Sequence, residues 1–72
     1  MTIPWKDDYC IKVRVEGRAV VISANKNGLL SLAAQLTSLA EAQPGSHIYY
    51  DEFNSLEEGS AEMIIEHIAL LR

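Results

Sequence analysis

A single cysteine, Cys10, stands among 72 residues, so no disulfide can close within the chain. One thiol fits a reducing compartment and argues against a disulfide-stapled secreted scaffold. No apolar run approaches the roughly 20 residues that a bilayer-spanning helix needs. The opening MTIPWKDDY has no basic stretch followed by an apolar one, so a secretory leader is not expected and the cytoplasm is the expected location. Basic residues are the most telling shortage: from Asn27 to Leu71 there is neither Lys nor Arg. That disfavours nucleic-acid binding, which needs clustered cations against phosphates, and docking on anionic membranes. Glycine-rich phosphate loops are missing too, and no Ser lies in a G-x-S-x-G elbow, so neither nucleotide chemistry nor a serine nucleophile has an anchor.

The same stretch holds seven carboxylates, Glu41, Asp51, Glu52, Glu57, Glu58, Glu62 and Glu66, in a chain of net charge −4. A field of one sign on part of a small domain is a docking signal for a basic partner. With 49% apolar and 22% charged residues the chain has the composition of a folded globular protein. Residues 1–72 read as one small domain, with 1–8 as a flexible N-terminal tail. A domain of this size buries only about 60% of the surface its unfolded chain exposes, which makes dimerisation a plausible support.

Ile11, Val13 and Val15 alternate with polar residues at period two and define a strand, and Arg18–Ser23 reads as its return. A two-residue turn at Glu16-Gly17 would oppose Val15 to Arg18, Val13 to Val20 and Ile11 to Ile22, with the apolar residues on one face. Asn25 and Asn27 are candidate N-caps. From there Leu29, Leu32, Ala33, Leu36, Leu39 and Ala40 recur at helical spacing, with Ser31 and Gln35 elsewhere on the cylinder. Pro44-Gly45 closes the helix. His47–Asp51 is a third strand with Ile48 and Tyr50 on one face. A fourth lies within Glu62–Ile68, with Met63 and Ile65 inward and Glu62, Ile64 and Glu66 outward. The apolar tail Ala69-Leu70-Leu71-Arg72 is expected to pack on something.

The order β-β-α-β-β predicts an α+β two-layer sandwich: a four-stranded, mainly antiparallel sheet with one helix on one face. A right-handed crossover that lands the third strand beside the first gives the order 2-1-3-4, and 1-2-3-4 is the alternative. The uncovered face would show Val21, Tyr49 and Ile64, joined by Trp5 from the tail, as a candidate homodimer face.

Chemical motifs are sparse. Cys10 has no sequence neighbour to activate it and reads as a packing residue. His47, Asp51, Glu66 and His67 form a conceivable metal or acid/base set, although two His on neighbouring strands are more often surface polar residues. Asp51 to Glu62 begins and ends like an EF-hand loop, but Phe53 and Leu56 occupy positions that need an oxygen ligand and a glycine. The acidic connection remains: Asp51, Glu52, Glu57 and Glu58, with Tyr49 and Glu62 beside them, are the candidate partner-binding residues. Plain solubility is the competing explanation.

Asn25-Lys26 with Gly28-Leu29-Leu30, Leu32-Ala33 and Leu39-Ala40, Gly45-Ser46-His47, and Leu56-Glu57-Glu58-Gly59-Ser60 before Met63-Ile64-Ile65-Glu66 form a pattern covering about two thirds of the chain. The pattern resembles the immunity protein 32 family of bacterial polymorphic toxin systems. That resemblance implies a non-enzymatic cytoplasmic protein, without cofactor, that binds and neutralises a cognate protein toxin. It carries over no set of inhibitory residues. A homodimeric structural module and a divalent-metal binder are the alternatives.

Overall fold

The computed structural model describes residues 5–69. The element order is β1 (Ile11–Glu16), β2 (Ala19–Ala24), α1 (Lys26–Glu41), β3 (His47–Tyr50) and β4 (Met63–Glu66). The α+β class and the element order agree with expectation, but the single four-stranded sheet does not. The strands form two separate antiparallel hairpins, β1-β2 and β3-β4. The edge of β1 expected to receive β3 is occupied by the β3–β4 connection. Glu57 N donates to Ile11 O (2.9 Å), Ala61 N to Val13 O (2.8 Å), and Val13 N to Ser60 Oγ (3.1 Å). Once those groups are satisfied, β3 has no ladder to join on β1.

The first hairpin turns one residue later than expected. Gly17-Arg18 is the loop, with Glu16 opposite Ala19, Val15 opposite Val20, Val13 opposite Ile22 and Ile11 opposite Ala24. Gly17 has φ +62, a conformation that costs glycine little and that Glu16 would adopt only with strain. The slip is two residues along the partner strand, so the apolar residues still share a face. Only its inner end is covered, for Ile11 and Val13 are buried while Val15 and Val20 are 61% and 64% exposed.

Asn25 caps α1: its side-chain oxygen accepts from Gly28 N (2.8 Å) and from Cys10 N (3.0 Å), while Asn25 N donates to Cys10 O (3.1 Å). This clasp sets the helix against the start of β1. Cys10 is exposed rather than packed, and its contribution here is its backbone. The helix is also turned from its expected orientation. Its buried residues are Gly28, Ser31, Leu32, Gln35 and Leu39, whereas Leu29, Leu30 and Leu36 are exposed.

Two observations account for that rotation. At Gly28 a Cβ would meet Cys10 O at 2.5 Å and Ile11 Cγ1 at 3.0 Å, so only glycine allows this close approach. Inside, the Tyr50 hydroxyl donates to Gln35 Oε1 (2.7 Å), and Ser31 Oγ accepts from Lys6 N (2.8 Å). The polar residues thus enter the core with partners, as burial requires.

Of the segment 1–8 expected as a tail, residues 1–4 lie outside the described residues. The remainder runs along the start of α1, where Asn27 Nδ2 donates to Asp7 O (2.8 Å) and Asn25 Nδ2 to Asp8 O (2.9 Å). Trp5 stacks on Tyr9 with ring centroids 4.3 Å apart and meets Tyr50 edge-on at 6.4 Å. It packs against the core. The apolar end 70–72 also lies outside the described residues. Ile11, Val13, Leu32, Leu39, Ile48, Tyr50 and Leu56 make the buried cluster, so both hairpins, the helix and the β3–β4 connection share one core.

Gly28→Ala is expected to destabilise the domain by about 1–2 kcal/mol, since overpacking outweighs the helix-propensity gain; denaturant unfolding measures it. Tyr50→Phe removes the bond to Gln35 and is expected to cost about 1–2 kcal/mol. Burial raises the Tyr50 phenol above its ordinary value of 10.0. The folded state therefore favours the neutral phenol: this stabilisation is complete below pH 10.0 and is lost as pH rises through the raised value. Unfolding curves against pH should show that alkaline loss in the native sequence and a smaller one in Tyr50→Phe.

Candidate functional site: the acidic β3–β4 connection

The backbone after Tyr50 cannot continue as a strand, because Asp51 turns it back. Asp51 Oδ1 accepts from Phe53 N (2.9 Å) and Asn54 N (3.0 Å), while Asp51 O accepts from Ser55 N (3.1 Å) and Leu56 N (2.9 Å). A carboxylate that accepts from the amide two residues on is the local chemistry that favours Asp in turns. Asn54 closes the other side. Its Oδ1 accepts from Asp51 N (3.2 Å) and from the Ser55 hydroxyl, and its Nδ2 donates to Tyr49 O (3.3 Å). Leu56 then drops into the core at 5% exposure and fixes the turn to the body of the domain.

Beyond Leu56 the chain is pinned along β1, as described, and also across the loop. Glu52 Oε2 accepts from Gly59 N (2.7 Å), and Lys12 Nζ donates to Glu58 O (2.6 Å). Gly59 has φ +84, and a Cβ on it would lie 2.9 Å from Lys12 Nζ. The connection is thus a shaped surface held at both ends. Glu52, Phe53 and Glu58 line a shallow depression on it.

The sequence-selected carboxylates separate into different environments. Asp51 is half-buried, whereas Glu52, Glu57, Glu58 and Glu62 are exposed. The Asp51 and Glu52 carboxylates hold the loop together, and the Glu57 and Glu58 side chains project from it. Tyr49 and Glu62 meet across the β3–β4 hairpin. Hydrogen bonding to Glu62 raises the Tyr49 phenol above its ordinary value, followed by desolvation and the negative charges of Glu62 and Asp51. Tyr49, Asp51 and Glu62 therefore form one neighbourhood, as their grouping in the sequence suggested.

Two residues that sequence reasoning passed over also belong here. Phe53 is 89% exposed, flanked by Glu52 and Glu58 at the depression. Its only signal in the sequence was an aromatic residue inside a polar loop. Lys12 reaches the loop from a strand 46 positions away, and no local pattern could have placed it there.

The other candidate sets come apart. Tyr49 and Ile64 are directly paired on β3 and β4, but Val21 lies on the separate β1-β2 hairpin and Trp5 packs on the core. Of the metal set, His47 pairs with Glu66 across the strands, His67 Nδ1 lies 3.0 Å from Leu39 O, and Asp51 holds its turn. Among the described residues no group of three or more His, Cys, Asp or Glu is arranged to hold a metal ion. No helix among them is long and apolar enough to cross a membrane.

Fold and site define a small α+β domain whose distinctive feature is an acidic, aromatic-tipped loop fixed against a β-hairpin. A family model described as immunity protein 32 matches residues 19–68, from β2 through β4. The chain belongs to the immunity protein 32 family. No curated protein and no solved structure gave a significant match.

Asp51→Ala is expected to release the Phe53 amide, to leave the Asn54 amide only its longer bond to Asp51 O (3.4 Å), and to cost about 1 kcal/mol, comparable to a lost cap. Hydrogen exchange should show faster exchange at those amides, with smaller changes along β1-β2.

Proposed function

We propose that this protein neutralises a cognate toxin domain by covering a basic surface of it with the β3–β4 connection. The observation that carries this reading is Phe53, 89% exposed on a loop whose backbone is tied to β1. An aromatic side chain at such a position can fill a partner's pocket without first ordering its own backbone, which lowers the cost of binding. Glu57 and Glu58 supply the negative field that draws a basic partner in, with Glu52, Asp51, Tyr49 and Glu62 extending the same surface. Family membership supports toxin inhibition as the activity.

Inhibition on this reading is steric and electrostatic: it needs no catalysis and no cofactor. The protein acts in the cytoplasm of the producing cell, where it protects against the toxin.

The test uses the cognate toxin domain, identified by co-purification with this chain. Reversing charge with Glu57→Lys and Glu58→Lys is expected to slow association by about tenfold or more at low salt, with the effect shrinking as salt rises. Phe53→Ala is expected to speed dissociation, by about tenfold for a loss near 1.4 kcal/mol. Biosensor kinetics and survival of toxin-expressing cells report these effects, and circular dichroism checks the fold. Full protection and unchanged kinetics in the triple variant would remove this surface from the mechanism.

A further inference from the structure

The register of the first hairpin shows which way its backbone groups point. The carbonyls of Ile11 and Val13 and the amide of Val13 face away from β2, since they bond to residues 57, 61 and 60. In an antiparallel pair, partners across the ladder alternate between bonded and non-bonded, so Ile22 and Val20, opposite Val13 and Val15, likewise turn their N–H and C=O away from β1. Among the described residues no backbone hydrogen bond from outside the hairpin reaches Ala19–Ala24. One edge of this sheet is therefore closed by the β3–β4 connection, and the other is open.

Open edges in folded proteins usually carry a lysine, a proline or a bulge that blocks pairing. Ala19-Val20-Val21-Ile22-Ser23-Ala24 has neither charge nor proline, and its pairing with β1 is continuous, residue for residue. On the apolar face beside this edge, Val15, Val20 and Ile22 are 61%, 64% and 43% exposed. A two-stranded hairpin is marginal alone, and three or more strands give a sheet independent stability.

We propose that β2 pairs antiparallel with β2 of a second copy of this chain, about a two-fold axis through Val21. This occupant follows from self-complementarity. With Val21 opposite its own equivalent, Val20 of each copy faces Ile22 of the other, and these are the residues whose N–H and C=O point outward. Both bonded pairs form at once, as a two-fold interface requires. No charge lies between Ala19 and Ala24, so no like charges are opposed along the joined strands. The product is a continuous four-stranded sheet, β1-β2-β2-β1, whose apolar face unites Val15, Val20 and Ile22 of both copies. The acidic connection lies on the far edge of β1, so each copy keeps its loop available.

The experiment is sedimentation of the intact chain with residue-resolved hydrogen exchange. Twice the mass of the chain is expected, with the Val20 and Ile22 amides slowed by at least about tenfold relative to dilute protein. Val20→Pro removes an outward amide without removing a β1–β2 bond and is expected to give the single-chain mass. Val20→Lys, at an exposed position, is expected to do the same with an unchanged circular dichroism spectrum. It keeps the test decisive if the proline variant fails to fold.

A single-chain mass for the native sequence at micromolar concentration and above overturns the proposal. So does a dimer that survives Val20→Lys, or protection of Val20 and Ile22 that arises only with bound toxin. Toxin affinity of the Glu57, Glu58 and Phe53 variants is measured separately, so either reading can fail without the other.

Discussion

The outer edge of β1 is where the domain becomes one object rather than two hairpins. Ile11 and Val13 offer backbone groups there, and residues 57–61 satisfy them. The side chains of the same two residues are buried in the shared core, where Leu56 joins them. Polar and apolar bonding therefore act on one short segment from two directions. The geometry of the acidic connection follows: its distal half is held as a third strand would be, though it has no strand ladder of its own. Its proximal half is shaped by Asp51 and Asn54, and Glu52 links the halves through Gly59.

Seen in three dimensions, the long stretch without Lys or Arg is less uniform than its composition suggests. Lys12, from a region of the chain that does contain cations, contacts Glu58 O from β1. A cation under the loop lowers the cost of gathering several carboxylates, and it acts on the backbone while Glu57 and Glu58 project outward. Two of the four loop carboxylates, Asp51 and Glu52, maintain shape, and two, Glu57 and Glu58, are exposed. The carboxylates of the cluster therefore divide between structural and surface positions.

Most local structure was legible. Alternation marked β1 and β3, turn residues and the β-branched Ile64-Ile65 pair marked β4, two Asn candidates, of which Asn25 is the cap, marked the start of α1, and the inward assignments of Ile48, Tyr50, Met63 and Ile65 agree with their burial. Two local readings failed for identifiable reasons. Counting apolar residues set the helix on Leu29, Ala33 and Leu36, but the close approach at Gly28 and the Tyr50–Gln35 bond turn another stripe inward. Choosing Glu16-Gly17 as the turn overlooked that the first loop position carries the positive φ, which belongs to Gly17. The candidate site was legible as a charged segment, and Tyr49 and Glu62, grouped with it from the sequence, lie beside each other in the fold. Its apolar tip was not, because in sequence nothing distinguishes an exposed Phe from a buried one.

Composition and pattern determined the class of domain and the element order, and the motifs between Asn25 and Glu66 carried a resemblance that the family match bears out. These depend on interactions between residues close in sequence, or on averages over the chain, and both can be read in one dimension. The pairing of sheet edges could be settled only in the folded molecule. Whether β1 receives β3 or residues 57–61 is a choice between long-range backbone partners that no local pattern distinguishes, and residues 57–61, next to the buried Leu56, take the place. That outcome leaves two hairpins instead of one sheet, an acidic loop fixed along β1 and an open edge on β2.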